Sequence, residues 1–128
     1  MTKAIMTSDN WVGVADIATA QTVDSIDDVL NNVEMLNGEN RTLILIDFCG
    51  KILGIGGGED KNYICFYDDD ERSGLIAAFG DDESPVEIVV GGQPGVFKMK
   101  NILNFDQIEI IVDGFLDNQP LPDYFVRA

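Results

Sequence analysis

From Thr42 to Met99 the chain repeats one pattern: a short apolar run, then a few residues rich in Gly, Asp or Pro. The runs are Thr42 to Phe48, Lys51 to Ile55, Asn62 to Tyr67, Leu75 to Phe79, Val86 to Val90 and Val96 to Met99. Each has the length of a strand and is bounded by turn residues. The connections are too short to hold crossover helices, so they join antiparallel neighbours. Cys49-Gly50 reads as a tight turn between the first two runs. This stretch alone commits the chain to a mainly antiparallel sheet of about six strands.

Helical periodicity flanks it on both sides. Between Asp24 and Leu36, the residues Ile26, Val29, Leu30, Val33 and Leu36 fall on one helical face. Asp24 or Ser25 can cap the first turn, Asp27 and Asp28 suit its positive dipole end, and Gly38 can stop the helix. Near the C-terminus Asn104 and Gln107 have capping-box spacing, ahead of a stripe of Phe105, Ile108, Ile111, Val112, Phe115 and Leu116. Asp117-Asn118-Gln119-Pro120 ends that helix, and Pro122 keeps the tail from resuming it. Asn10 to Ala15 reads as a further strand. The expected fold is α+β: an antiparallel sheet of about six strands flanked by an N-terminal and a C-terminal amphipathic helix, in one domain spanning 1–128.

Charge narrows the function. The chain has 23 acidic and 8 basic residues, a net charge of −15, and no histidine. Nucleic acid and anionic membrane surfaces would repel it. Without histidine there is no Ser-His-Asp triad, no HExxH zinc site and no imidazole proton shuttle. The expected partner is a basic protein. No stretch approaches the ~18 apolar residues of a membrane span, and the N-terminus carries no apolar signal segment, so the expected location is the cytoplasm. Cys49 and Cys65 are too few for a disulfide scaffold or a four-cysteine zinc site. With Phe48, Ile64 and Phe66 as neighbours they read as two buried, reduced thiols, the alternative being a bridge between them.

Three motifs invite functional readings. Gly54-Ile55-Gly56-Gly57-Gly58 looks like a phosphate loop, but it leads into another strand instead of opening a helix, and Glu59 and Asp60 follow it. It reads as a flexible or bulged hairpin end. Asp68-Asp69-Asp70-Glu71 suggests calcium, but positions 5 and 6 of that loop are Arg72 and Ser73. A solvated loop and a recognition surface both remain. Favouring recognition, Glu59, Asp60, Asp68, Asp69, Asp70, Glu71, Asp81, Asp82 and Glu83 lie within 25 residues, opposed only by Lys61 and Arg72. Hairpin loops alternate between sheet ends, so the 56–61 and 80–85 loops are expected to share one end and the 68–73 loop the other. The acids sit in polar loops and not in a cleft that would raise a pKa, so no enzymatic activity is expected. Trp11, Tyr63, Tyr67 and Tyr124 are either interface anchors or core. Tyr63, Cys65 and Tyr67 share one strand face, which two hydroxyls mark as the less deeply buried one.

The order of elements resembles the first immunity-protein family of bacterial polymorphic toxin and contact-dependent inhibition systems. Three stretches carry the resemblance: Ser25-Ile26-Asp27-Asp28-Val29-Leu30 in the early helix; Leu53 to Gly58 followed by Tyr63-Ile64-Cys65-Phe66-Tyr67-Asp68; and Phe115-Leu116-Asp117-Asn118-Gln119-Pro120 closing the last helix. The resemblance implies a cytoplasmic protein, made beside its toxin, that binds the toxin directly. It implies no catalytic residues, cofactor or metal. The toxins of such systems include enzymes acting on nucleic acid, which need a basic groove. A compact domain at −15 is complementary to that groove. The expected function is neutralisation of a cognate basic toxin domain through the loop acids, with Tyr63 and Tyr67 as further contacts. The rival readings are an acidic nucleic-acid mimic that inhibits a host regulator or nuclease, and a small-ligand domain using the glycine hairpin as a pocket edge.

Overall fold

The computed structural model describes residues 3–128. The strands are β1 (Ala4–Ser8), β2 (Trp11–Val12), β3 (Ala15–Asp16), β4 (Thr19–Val23), β5 (Leu43–Phe48), β6 (Lys51–Gly57), β7 (Tyr63–Asp68), β8 (Leu75–Ala77), β9 (Pro85–Val90), β10 (Gln93–Lys98) and β11 (Phe125–Arg127). The helices are α1 (Ile26–Met35) and α2 (Phe105–Leu116). Seven strands form an antiparallel sheet in the order β11-β8-β7-β6-β5-β1-β4. The meander from β5 to β8 follows the sequence reading closely. At its first turn Cys49 and Gly50 both have positive φ, 54° and 75°, as a two-residue hairpin turn requires.

Three parts of the sheet differ from expectation. The Asn10 to Ala15 segment is not a sheet strand but the tip of a hairpin arm. β1 pairs β4 from Ala4↔Val23 to Ser8↔Thr19, and the same register resumes at Trp11↔Asp16 and Val12↔Ala15. Two strands, β1 and β4, carried no clear strand signal: β1 is a short Ala-Ile-Met-Thr-Ser run, and β4 is polar and Thr-rich. The runs at Val86 and Val96 form a separate hairpin, β9–β10, which leaves the meander. The tail after Pro122 returns as β11 and closes the far edge on β8.

One alternating set of strand residues, including Met6, Ile44, Ile46, Leu53, Ile55, Tyr63, Cys65 and Tyr67, packs with Val29 and Val33 of α1 and Ile108, Ile111, Val112 and Phe115 of α2 in one core. The β9–β10 hairpin covers part of the opposite face, where Ile64 and Ile88 are buried and the Phe66 and Phe97 rings lie 6.1 Å apart. The glycine run is part strand and part hairpin end: Gly54 to Gly57 lie in β6, and Gly57 and Gly58, at φ 98° and 109°, lead into the turn to β7. Gly56 lies inside β6, and a Cβ there would run into Val90. The glycines let the second hairpin approach the sheet.

Both helices begin as their sequences specify. The Asp28 carboxylate accepts from the Ser25 amide at 3.3 Å and from the Asp24 amide at 2.8 Å. Asn104 and Gln107 exchange two bonds of 2.9 Å each. α2 ends with Asn118 at φ 56°, its amide donating to Phe115 and that of Gln119 to Gly114, a left-handed cap that closes two free carbonyls. α1 ends differently from expectation: Leu36 leaves in extended conformation, and Gly38 turns the following loop instead of capping the helix. Among the described residues no helix is long and apolar enough to cross a membrane.

Candidate protein-binding surface

The strand register places the acidic loops. Gly57↔Tyr63 closes β6–β7 at one end of the sheet, and Ile52↔Asp68 lies towards the other, the Cys49-Gly50 end. β8 starts opposite Tyr67 and runs back towards the first end. Glu59 and Asp60 therefore share one end with Asp81, Asp82 and Glu83, while Asp68 to Glu71 occupy the opposite end, as the alternation of hairpin loops requires. Residues 99–103 stitch the first group together. Tyr63 and Leu103 exchange backbone bonds of 3.0 and 2.7 Å, the Lys100 amide donates to the Asp82 carbonyl at 3.0 Å, and the Asn101 side-chain amide donates to the Ala77 carbonyl at 3.1 Å.

The nine acids are not equivalent. Glu83 is held by Lys98 at 2.8 Å and Lys100 at 2.9 Å, which pull its carboxyl down to about 2. Asp69 accepts from the Tyr67 hydroxyl at 2.8 Å and from the Glu71 and Arg72 amides, and it pairs with Arg72 at 3.0 Å. These bonds, the Tyr67 one foremost, hold it at about 2. Asp82 accepts from the Ser84 amide at 2.9 Å, and the Ser84 side chain first and then this amide lower its pKa, while Asp68 accepts from the Gly74 amide at 2.7 Å. These four acids shape their own loops. Lys98 and Lys100, distant in sequence from the acidic stretch, are compensating bases that the local count missed. Glu59, Asp60, Asp70, Glu71 and Asp81 are exposed and make no ion pair among the described residues.

Tyr63 and Tyr67 do not belong to a partner surface. They share a strand face with Cys65 as expected, but it is the more deeply buried face, and the two tyrosines are only 2% and 3% exposed. The Tyr67 hydroxyl reaches Asp69 from the core edge. Burial, and then that bond, push the phenol up to about 12. A hydroxyl needs one partner to be buried, and Tyr67 has one within its own loop. Cys65 is buried as expected, and burial raises its thiol pKa. Cys49 is exposed, because the turn it occupies points away from the core. Both cysteines are free.

At the Glu59 end the structure also holds a polar knot that carried no signal in the sequence. Asp9 is buried, and its carboxylate accepts from the Thr42 amide at 2.6 Å, the Leu43 amide at 3.0 Å, the Trp11 indole at 2.8 Å and the Thr42 hydroxyl. Thr42 Oγ1 in turn accepts from the Gly92 amide at 2.9 Å. This is a structural site: it fastens the arm, β5 and the tip of β9–β10 to one another. Trp11 is consumed in it, its ring lying against Gly92, where a Cβ would collide with the indole. Tyr124 packs against Phe79 with ring centroids 4.5 Å apart and the rings tilted by 36°. Among the described residues no group of three or more His, Cys, Asp or Glu could hold a metal ion.

No family model, curated protein or solved structure matches the chain.

Proposed function

We propose that this chain is a toxin-neutralising immunity protein, which binds a cognate, basic, nucleic-acid-acting toxin domain in the cytoplasm and blocks its active site. The observation that carries this reading is the set of exposed carboxylates that make no ion pair among the described residues, above all Glu59, Asp60 and Asp81 on neighbouring loops at one sheet end of a chain at −15. Such carboxylates steer a basic groove into contact and, where desolvated against Arg or Lys, hold it. Asp70 and Glu71 at the other end add to the long-range field and lie outside the central contact. Supporting the same reading is the resemblance to the first immunity-protein family at Ser25 to Leu30, Leu53 to Asp68 and Phe115 to Pro120, which implies a sheet flanked by the two helices. On this reading the protein has no enzymatic activity, cofactor or metal; binding is the whole of its function.

The test uses the toxin domain encoded beside this chain. Its nuclease or deaminase activity on nucleic acid is measured while the purified protein is added. The expected result is loss of activity at one equivalent. Full activity in the presence of a large molar excess would refute the proposal.

A further inference from the structure

The two edges of the seven-stranded sheet are built differently. β11 has only three residues, ends in Arg127, and is followed by Ala128, whose amide donates to the Gly74 carbonyl. β4 has five residues, Thr19-Ala20-Gln21-Thr22-Val23, and its first four are exposed. It has no charge and no proline, and its register with β1 is continuous over all five residues, with no bulge. Charge, proline, bulges and shortness are the devices that stop an edge strand from pairing with another chain. β4 has none of them. The arm it belongs to continues the same register to a tip that carries Val12, Val14 and Ile17 at 60%, 100% and 56% exposure.

The distribution of charge says what pairs there. The chain has 23 acidic residues, yet from Asn10 to Val23 the only charged one is Asp16, and that carboxylate accepts from the Asn10 amide at 2.9 Å. A basic partner is drawn to carboxylates, and this surface has almost none to offer. The next acid, Asp24, lies 3.6 Å from the Lys3 ammonium, so a second copy at −15 meets its weakest repulsion along this segment.

We propose that β4 is a homodimer edge, which pairs antiparallel with β4 of a second copy about a two-fold axis and joins the two sheets into one. Antiparallel pairing of identical strands is self-complementary, as a two-fold contact must be. Full overlap of the five residues sets Gln21 opposite Gln21 of the second copy and Thr19 opposite Val23. The exposed aliphatic groups of the arm tips add apolar area beside the paired strands. Five paired residues a side fall short of the ~800 Å² per partner of a standard stable interface, so the association is weak and reversible. It strengthens with salt, because screening weakens the repulsion between two acidic bodies. This is the opposite salt dependence from that of a basic partner on Glu59, Asp60 and Asp81, so the two proposals fail separately.

The test is sedimentation velocity on the whole chain across the micromolar range, at low and high sodium chloride. The expected result is a monomer when dilute in low salt and a dimer when concentrated in high salt. Gln21→Lys and Gln21→Glu each set like charges face to face at the axis, and each is expected to weaken association about threefold to tenfold. An equimolar mixture of the two is expected to regain the dimer as a mixed pair, which a folding defect would not allow. A monomer under all conditions overturns the proposal, as do a dimer dispersed by salt and single variants that associate like the parent.

Discussion

Asp9 and Thr42, separated by 33 residues, are bound through both the amide and the hydroxyl of the threonine. The carboxylate also receives the Trp11 indole and the Leu43 amide, and the threonine oxygen receives Gly92. Four segments meet in this knot: β1's exit, the arm, the start of β5 and the β9–β10 turn. Removing the carboxylate leaves four donors facing a buried space. Asp9→Ala is expected to cost about 2–4 kcal/mol, and Thr42→Val, which strands the Gly92 amide, about 1–2 kcal/mol. Urea unfolding followed by the fluorescence of Trp11, the single tryptophan, measures both.

Gly92 and Gly13 separate two costs. Both have positive φ, 77° and 64°, but a Cβ at Gly13 meets nothing within 4 Å, whereas one at Gly92 strikes the Trp11 ring. Gly13→Ala is expected to cost only the left-handed backbone penalty of about 1 kcal/mol. Gly92→Ala is expected to cost about 1–2 kcal/mol more and to shift the Trp11 emission, because the indole must move. Equal losses of stability for the two would mean that the turn does not dock on Trp11.

The cysteines differ in exposure and in backbone. Cys49 is expected to react with a thiol reagent in the native state, and Cys65 only on unfolding. Cys49 sits at φ 54° in a turn position that favours Asn, so Cys49→Asn is expected to stabilise the protein by about 0.5–1 kcal/mol. Cys65→Ala opens a small cavity and is expected to cost about 1–2 kcal/mol. Thiol counting and denaturant melts check these three outcomes.

The acid side of the stability profile carries the mark of two loops. Glu83 falls from an ordinary value of 4.5 to about 2, and Asp69 from 3.8 to about 2. A carboxyl lowered in the folded state stabilises fully above its unfolded value, and the contribution disappears as pH falls through its folded value. Elsewhere in this acidic chain protonation relieves repulsion, which acts in the other direction. The difference between parent and Glu83→Gln isolates the effect. That difference is expected to be constant above pH 4.5 and to shrink towards zero near pH 2. A difference that grows as pH falls would mean that Lys98 and Lys100 do not hold Glu83.

The sequence showed what depends on neighbours in the chain. The Leu43 to Asp68 strands, the Cys49-Gly50 turn and the Asn104 to Gln107 cap rest on local periodicity and local bonds, and their boundaries held to within a residue or two. β1 and β4 were missed because β1 breaks the usual alternation, with apolar Ile5 exposed and polar Ser8 buried, and because an exposed edge such as β4 needs no apolar face. The place of β9–β10 depends on Gly56 meeting Val90, a contact between residues far apart in the chain that no local pattern records. Loop density identified the acids and the ends they occupy. Which acids are spent was invisible, because Glu83 is matched by Lys98 and Lys100 only after residues 99–103 have folded back. Tyr63 and Tyr67 were misplaced because their hydroxyls suggested solvent, whereas the face they share faces both helices.

The central claim is that the exposed acids Glu59, Asp60 and Asp81 at one sheet end receive a basic toxin surface. The most direct measurement is the association rate with the toxin domain encoded beside this chain, across a range of salt, for the parent and for a triple variant Glu59→Gln, Asp60→Asn, Asp81→Asn. None of the three makes an ion pair among the described residues, so the variant is expected to keep the fold. The account predicts association slower by about tenfold or more at low salt, with a flatter salt dependence and weaker protection against the toxin. A triple variant that associates, responds to salt and protects like the parent would contradict it.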